Sequence, residues 1–273
     1  GGGTPGGGGT PPQPIVGDNT DNTLTGTSGN DSIDGSGGND LLRGAGGNDS
    51  LVGGTGNDTI EGGSGSDTIV GGDGHDSLSG DNDNDSILGG EGDDTLVGGV
   101  GDDYLDGGPG TDTGQYATAS HVYADLTSGL ADADSTDTLV GIENIIGSSN
   151  EDSMIGDGLD NFFQGGAGND TLLGGGGNDS LQGDAGNDCL VGGTGADRYL
   201  FTSPLEGLDS IEDFNQTEDA FVLSSEGFGG LSNGALGSEH FAAIEETYDG
   251  SNADGALFIF DGDSRLIYDP SGT

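Results

Sequence analysis

The chain has 273 residues, of which 63 are Gly and 50 are Asp or Glu, against three basic side chains, for a formal charge of −47. That charge excludes nucleic acid, itself a polyanion, as a partner, and leaves multivalent cations as the groups able to offset the self-repulsion of the chain. Glycine and proline make up about a quarter of the residues, a level that means disorder in an aperiodic sequence, so folding depends on whether the chain repeats.

Residues 1–16, GGGTPGGGGTPPQPIV, have the composition of a linker, flexible at first and stiffer where proline gathers. The Gly at position 1 suggests a processed or partial chain, and no signal peptide or membrane-length apolar run follows.

A first repeat block occupies residues 17–114. Its period is nine, as in GGTGNDTIE (53–61) and GGEGDDTLV (89–97), with Gly first, Asp sixth and an aliphatic residue eighth. The Asp recurs as Asp31, Asp40, Asp49, Asp58, Asp67, Asp76, Asp85, Asp94, Asp103 and Asp112, and the eighth position runs from Ile33 to Leu105. A degenerate turn with Asn22 and Leu24 in these slots precedes them.

The phase breaks after Asp112, where Gly114 takes the aliphatic slot, and residues 115–146 form an interruption richer in Ala, Val and Ile. A second block covers 147–200, with Asp152, Asn161, Asp170, Asp179, Asp188 and Asp197 sixth and Met154, Phe163, Leu172, Leu181, Leu190 and Tyr199 eighth. Residues 201–273 hold most of the Phe and strand-like runs such as Ala256 to Phe260 and Arg265 to Tyr268; they are expected to cap the repeats.

Alternation in Asp58-Thr59-Ile60-Glu61 predicts a three-residue strand with the eighth residue facing inward. The preceding GGxGx segment is expected to reverse the chain, its glycines permitting positive φ. Two nonapeptides then make one 18-residue coil, and coils stack at roughly 4.8 Å. Residues 18 apart come into register. Asp31, Asp49, Asp67, Asp85 and Asp103 form one column, and Asp40, Asp58, Asp76, Asp94 and Asp112 another.

Carboxylates roughly 5 Å apart repel by about 3 kcal/mol even at an effective dielectric of 20. A hard divalent cation between adjacent turns reverses the sign, and Ca²⁺ suits a cage of carboxylates and carbonyls better than Mg²⁺ does. Fifteen aspartates are therefore the candidate metal ligands: the ten of the first block and Asp152, Asp170, Asp179, Asp188 and Asp197. Two-turn coordination gives up to about eight ions in the first block and about four in the second, about a dozen in all. The turns GDNDNDSIL (80–88), with Asp83, and GDGLDNFFQ (156–164), with Asn161, are expected to hold their ions weakly or not at all.

Sixteen in-phase turns of this form resemble the RTX (repeats-in-toxin, hemolysin-type) family and its G-G-x-G-x-D-x-U-x nonapeptide. The resemblance implies an all-β fold, a right-handed parallel β-roll solenoid, with each ion between two turns and ligated by the sixth-position Asp and turn carbonyls. It also implies export by a type I secretion apparatus. GADRYLF followed by DSIEDFNQTEDAFVL resembles the serralysin-like cap that follows such repeats, and Glu143 and Asn144 in GIEN resemble a turn-forming element of the interruption.

The ninth position faces outward, and on one side it reads Val52, Val70, Leu88, Ile155, Leu173 and Val191, against Arg43, Glu61, Ser79, Gln164 and Gln182 on the other. This apolar outer face is expected to be covered by residues 115–146, by the cap, or by another molecule, including a second copy.

No catalytic constellation is visible. His75, His121 and His240 are scattered, no HExxH motif occurs, and Cys189 stands alone. The chain is read as no enzyme, but as a calcium-binding structural module of filament, sheath or adhesin type, secreted by or held on the surface of a bacterium. The alternative is the C-terminal folding and type I secretion module of a larger secreted enzyme. In either case metal binding is folding, and the calcium-free chain is expected to be disordered.

Overall fold

The computed structural model describes residues 13–203, 206–215 and 217–224, with the backbone of the strands Ala256–Asp261 and Arg265–Asp269. Residues 1–12, most of the expected linker, and His240 lie outside the described residues. Every element among the described residues is β. The strands alternate between two sheets, one of 15 and one of 11 strands, and neighbours within each repeat block run parallel.

Register is 18 residues throughout each block. Leu51 pairs with Ile69 and Ile69 with Ile87 in the larger sheet; Ile60 pairs with Leu78 and Leu78 with Leu96 in the smaller one. These eighth-position side chains face each other between the sheets and are essentially inaccessible to solvent. The core is thus two ladders of aliphatics, one residue per nine. It stays thin because the flanking inward position is glycine.

The strands are longer than alternation predicts. Thr59–Ser64, for example, continues through Glu61 into Gly62 and Gly63, leaving Gly65, Ser66 and Asp67 to turn the chain. The glycine pair joins the ladder because its backbone stacks on the next coil, with Gly63 opposite Asp81. Gly63 does so at φ 110, where a Cβ would strike the carbonyl of Ala45 in the coil beneath.

Ile15–Val16, which composition assigns to the linker, is a strand paired with Ile33 and Asp34. The interruption does not divide the molecule. Thr113–Gln115 stacks on Thr95–Val100 and carries Asn144–Ile146 on its other side, so the smaller sheet runs on unbroken. Gly114 leaves room in the aliphatic column for Ile145, whose Cδ1 would lie 3.3 Å from a Cβ placed there, and for Ile142 and Tyr116.

In the larger sheet one coil is replaced by a meander. Thr136–Val140 pairs parallel with Tyr104–Asp106, then antiparallel with Leu130–Asp132; that strand pairs antiparallel with Tyr123–Asp125, which returns to a parallel pairing with Ser153–Ile155. Leu130 lies opposite Thr138 on one side and Asp125 on the other. Thr138 and Asp125 hold the seventh and ninth places of their strands, so the two blocks are offset by two residues along this sheet, roughly 7 Å. Residues 115–146 therefore extend the outer face, and do not cover it. Leu130, Val140 and Tyr123 add 45%, 41% and 48% exposed side chains to a surface that already includes Leu88.

At the C-terminal end Ser210–Ile211 and Ala220–Leu223 continue the two sheets, and the hairpin Ala256–Asp261 with Arg265–Asp269 runs antiparallel along the edge of the larger one. Tyr199, Phe201, Phe214 and Phe221 close the end of the core, Phe214 stacked on Phe221 with centroids 4.4 Å apart.

Candidate metal centre

Each sixth-position Asp sits in the turn just before a strand, where the 18-residue register places it above its counterpart. The backbone N–H of Asp40 donates to Oδ1 of Asp58 at 2.7 Å, Asp58 to Asp76 at 2.7 Å, and Asp76 to Asp94 at 2.8 Å. In the other column Asp49 donates to Asp67 and Asp67 to Asp85, both at 2.7 Å. One carboxylate oxygen of every interior turn is thus engaged by the turn before it.

The second oxygen is different. Oδ2 of Asp40, Asp49, Asp58, Asp67, Asp76, Asp85, Asp94, Asp103, Asp112, Asp137, Asp170, Asp179, Asp188 and Asp197 is buried and accepts no hydrogen bond. None of these residues is more than 4% exposed. A buried carboxylate oxygen without a donor costs several kcal/mol, of order 1–3 or more for a charged group. Fourteen of them in one small protein require a common compensation.

Their surroundings indicate what supplies it. A Cβ on Gly35 would collide with Asp40 Oδ2 and lie 2.6 Å from the carbonyl oxygen of Gly53 in the next turn. The same happens at Gly71, against Asp76 Oδ2 and, at 2.6 Å, the carbonyl of Gly89. Carboxylate and carbonyl oxygens converge where the first glycine of each repeat has no side chain, which is a cradle for a cation. Among the described residues no three His, Cys, Asp or Glu side chains come together. The donor set is hard oxygen, one carboxylate per turn with backbone carbonyls, which fits Ca²⁺ and does not fit a zinc site of clustered side chains.

The electrostatics agree. Desolvation pushes Asp58, Asp67, Asp94, Asp103, Asp112, Asp137 and Asp179 up to about 6 and Asp85 and Asp170 up to about 7, against the partly offsetting hydrogen bond from the neighbouring turn. Like charge adds to this in the columns, as between Asp85 and both Asp103 and Asp67.

A sequence model of the RTX calcium-binding nonapeptide repeat, four copies long, matches residues 16–51, 43–78, 52–87, 79–113, 137–172 and 164–199. This chain belongs to the RTX family. No curated protein matches it. RTX repeats bind calcium and are typical of proteins secreted by bacteria, and the oxygen cradles lie within the matched repeats. The match ends at residue 199, within GADRYLF, and does not extend over the rest of the segment that resembles a serralysin-like cap.

The predicted aspartates fall into the two columns that the register requires, and the RTX columns take in residues that periodicity missed. Asp103 donates its N–H to Asp137 Oδ1 at 3.0 Å and Asp112 to Glu143 Oε2 at 2.9 Å. Asp188 donates to Asp209 and Asp197 to Asp219, both at 3.0 Å. A signal was present: DTLV at 137–140 repeats DTLV at 94–97, and DSIE and DAFV begin at 209 and 219. The paired glycines that open such a turn are missing there, although Gly207 keeps the fourth place of the repeat before Asp209. Glu143, read as turn-forming, also takes the carboxylate's place in its column.

Two predicted ligands have a different environment. Asp31 Oδ2 accepts the N–H and hydroxyl of Thr27 at 2.6 and 2.9 Å, and Asp152 Oδ2 accepts the N–H of Ser148 at 2.6 Å. Asn161 is likewise saturated, accepting the N–H of Asp157 at 3.1 Å and donating from Nδ2 to the carbonyl of Glu143 at 2.9 Å. In the unusual turn 80–88, Asp81 and Asp83 adopt φ 73 and 72, and Asp85 keeps the interior geometry. His75 accepts the N–H of Asp93 on Nδ1 at 2.9 Å, joining a ladder of fifth-position side chains in which Asn57 accepts from His75 at 3.1 Å.

Proposed function

We propose that this chain is a calcium-triggered structural module of filament, sheath or adhesin type that folds after secretion and stiffens outside the cell or on its surface. The observation that carries the reading is the set of fourteen buried, donorless carboxylate oxygens. At neutral pH without a divalent cation they oppose the fold, and with one they hold it together. Extracellular-type sites in the 10⁻⁴–10⁻³ M range stay empty in a cytosol and fill outside, so the chain crosses membranes unfolded through a type I apparatus. Among the described residues no helix is long and apolar enough to cross a membrane. The reading assigns no catalysis to the chain.

The apolar outer face of the larger sheet favours the structural role over a purely passive export tail, because Leu88, Tyr104, Val140, Leu130 and Tyr123 offer side chains to a second molecule. The second reading, a folding and secretion module for an enzyme, draws on the linker composition of residues 1–14.

The test is circular dichroism with light scattering during a Ca²⁺ titration, with Mg²⁺ as control. Cooperative gain of β signal with Ca²⁺ alone, accompanied by scattering that Val140→Asp abolishes, is the expected result. Gain of β signal without scattering favours the export module, and an equal response to Mg²⁺ removes the calcium assignment.

A further inference from the structure

Not all turns of the roll are alike, and the difference lies four residues before the ligand Asp. In the turns of Asp40, Asp49, Asp58 and the other donorless nonapeptide aspartates, that residue has positive φ: Ser36 at 74, Ala45 at 79, Gly54 at 115, Asp81 at 73, Gly166 at 108, Asp184 at 66. In the turns of Asn22, Asp31, Asp152 and Asn161 it is Asp18, Thr27, Ser148 and Asp157, none at positive φ, and its N–H is bonded to the sixth-position side chain at 2.7, 2.6, 2.6 and 3.1 Å.

Residue type does not cause this. Ser36 and Ser148 are the same amino acid, as are Asp184 and Asp157, yet each pair splits between the two conformations. A Ser or Asp in the left-handed region is strained, and here the strained form leaves a buried carboxylate oxygen without the local donor that the relaxed form would supply. A cation on that oxygen offsets both the strain and the missing donor. The amide residues agree: Asn22 and Asn161 stand at locally capped turns, while every donorless position carries a full carboxylate.

We infer that the roll contains two kinds of turn, open turns that load calcium and closed turns that do not, that the closed turns of Asp152 and Asn161 form a metal-free joint between two arrays of ions, and that the closed turn of Asp31 ends the first array on its N-terminal side. The inference rests on the calcium reading. The first array ends at the meander, where Asp137 joins the column, 1% exposed and with the Tyr116 hydroxyl against its carboxylate. The joint is held by side chains instead of ions, with Val122, Ala124, Ile145, Met154 and Phe163 all buried there. The second array then starts at Asp170 and Asp179.

Counting bound ⁴⁵Ca²⁺ by equilibrium dialysis on the full chain tests this, with circular dichroism to confirm that each variant folds. Asp31→Asn and Asp152→Asn are expected to leave the count unchanged. Asp49→Asn and Asp170→Asn are expected to lower it by at least one ion each. A lower count in a folded Asp31→Asn or Asp152→Asn overturns the inference, as does an unchanged count in Asp170→Asn. If Asp49→Asn fails to fold, Asp170→Asn, in the other array, gives the open-turn value. Wild-type chain that binds no calcium refutes the calcium reading itself, which these variant comparisons cannot imitate.

Discussion

The backbone N–H of Asp85 donates to Oδ1 of Asp103 at 2.8 Å, so the carboxylate of each turn reaches back to the turn before it. The same bond recurs along both columns, giving the roll a direction: the N–H of a turn is satisfied only when the turn that follows is in place. The last repeats must then be completed from outside the repeats, which Asp209 and Asp219 do.

Replacing those terminal carboxylates therefore exposes the final coil. Asp209→Ala is expected to destabilise the calcium-loaded chain by about 1–3 kcal/mol, because the buried N–H of Asp188 loses its acceptor. Thermal melting in saturating calcium checks it, with exposed Asp34→Ala as the control expected to change little.

Glycine positions separate sharply. Gly71→Ala places a methyl group into the carboxylate of Asp76 and 2.6 Å from the carbonyl of Gly89, so it is expected to weaken calcium binding and lower the melting temperature. Gly158 has nothing within 4 Å of a Cβ and no positive φ, and Gly158→Ala should be neutral or stabilising by about 0.4–1 kcal/mol. Equal losses at the two sites would contradict the cradle described here.

The thin core predicts a large penalty for truncation. Leu78→Ala removes a side chain 1% exposed between two aliphatic neighbours, Ile60 and Leu96, and is expected to cost about 2–5 kcal/mol. The number of calcium ions bound at saturation should not change while the fold persists. Calorimetry together with dialysis separates the two effects.

Acidity should substitute in part for calcium. Burial raises Asp58, Asp67 and Asp94 to about 6 and Asp85 and Asp170 to about 7, above their unfolded values near 3.8. The folded chain then binds more protons than the unfolded one between these values, so calcium-free stability is greatest near pH 4 and is lost as pH rises through about 6–7. Protons and calcium compete for the same oxygens, so the calcium needed for half-folding is expected to rise as pH falls from 8 toward 6. Dichroism titrations at several pH values read both trends, and a calcium-free chain equally unfolded at pH 4.5 and pH 8 would contradict them.

The nine-residue period was enough to place the aliphatic ladders, the two aspartate columns and the oxygen chemistry of the sites, because an exact repeat admits only one stacking in which the eighth residues all face inward. Asp137 and Asp209 were harder to see. They join their columns 34 and 21 residues after their partners, a spacing set by how the intervening chain returns to the sheet and not by the period. The outward apolar residues could be read from alternation, whereas the two-residue offset between the blocks depends on the antiparallel strand Leu130–Asp132.

The state of each turn was decided by the tertiary structure alone. Ser36 and Ser148 occupy equivalent places in their repeats, yet one takes φ 74 and leaves Asp40 Oδ2 without a donor, while the other donates its N–H to Asp152. The sequence by itself determines that a carboxylate stands there. Which conformation the turn adopts depends on its place in the stack: the strand that follows Ser148 pairs with Tyr123–Asp125 of the meander and not with a nonapeptide strand, and there the local hydrogen bond prevails.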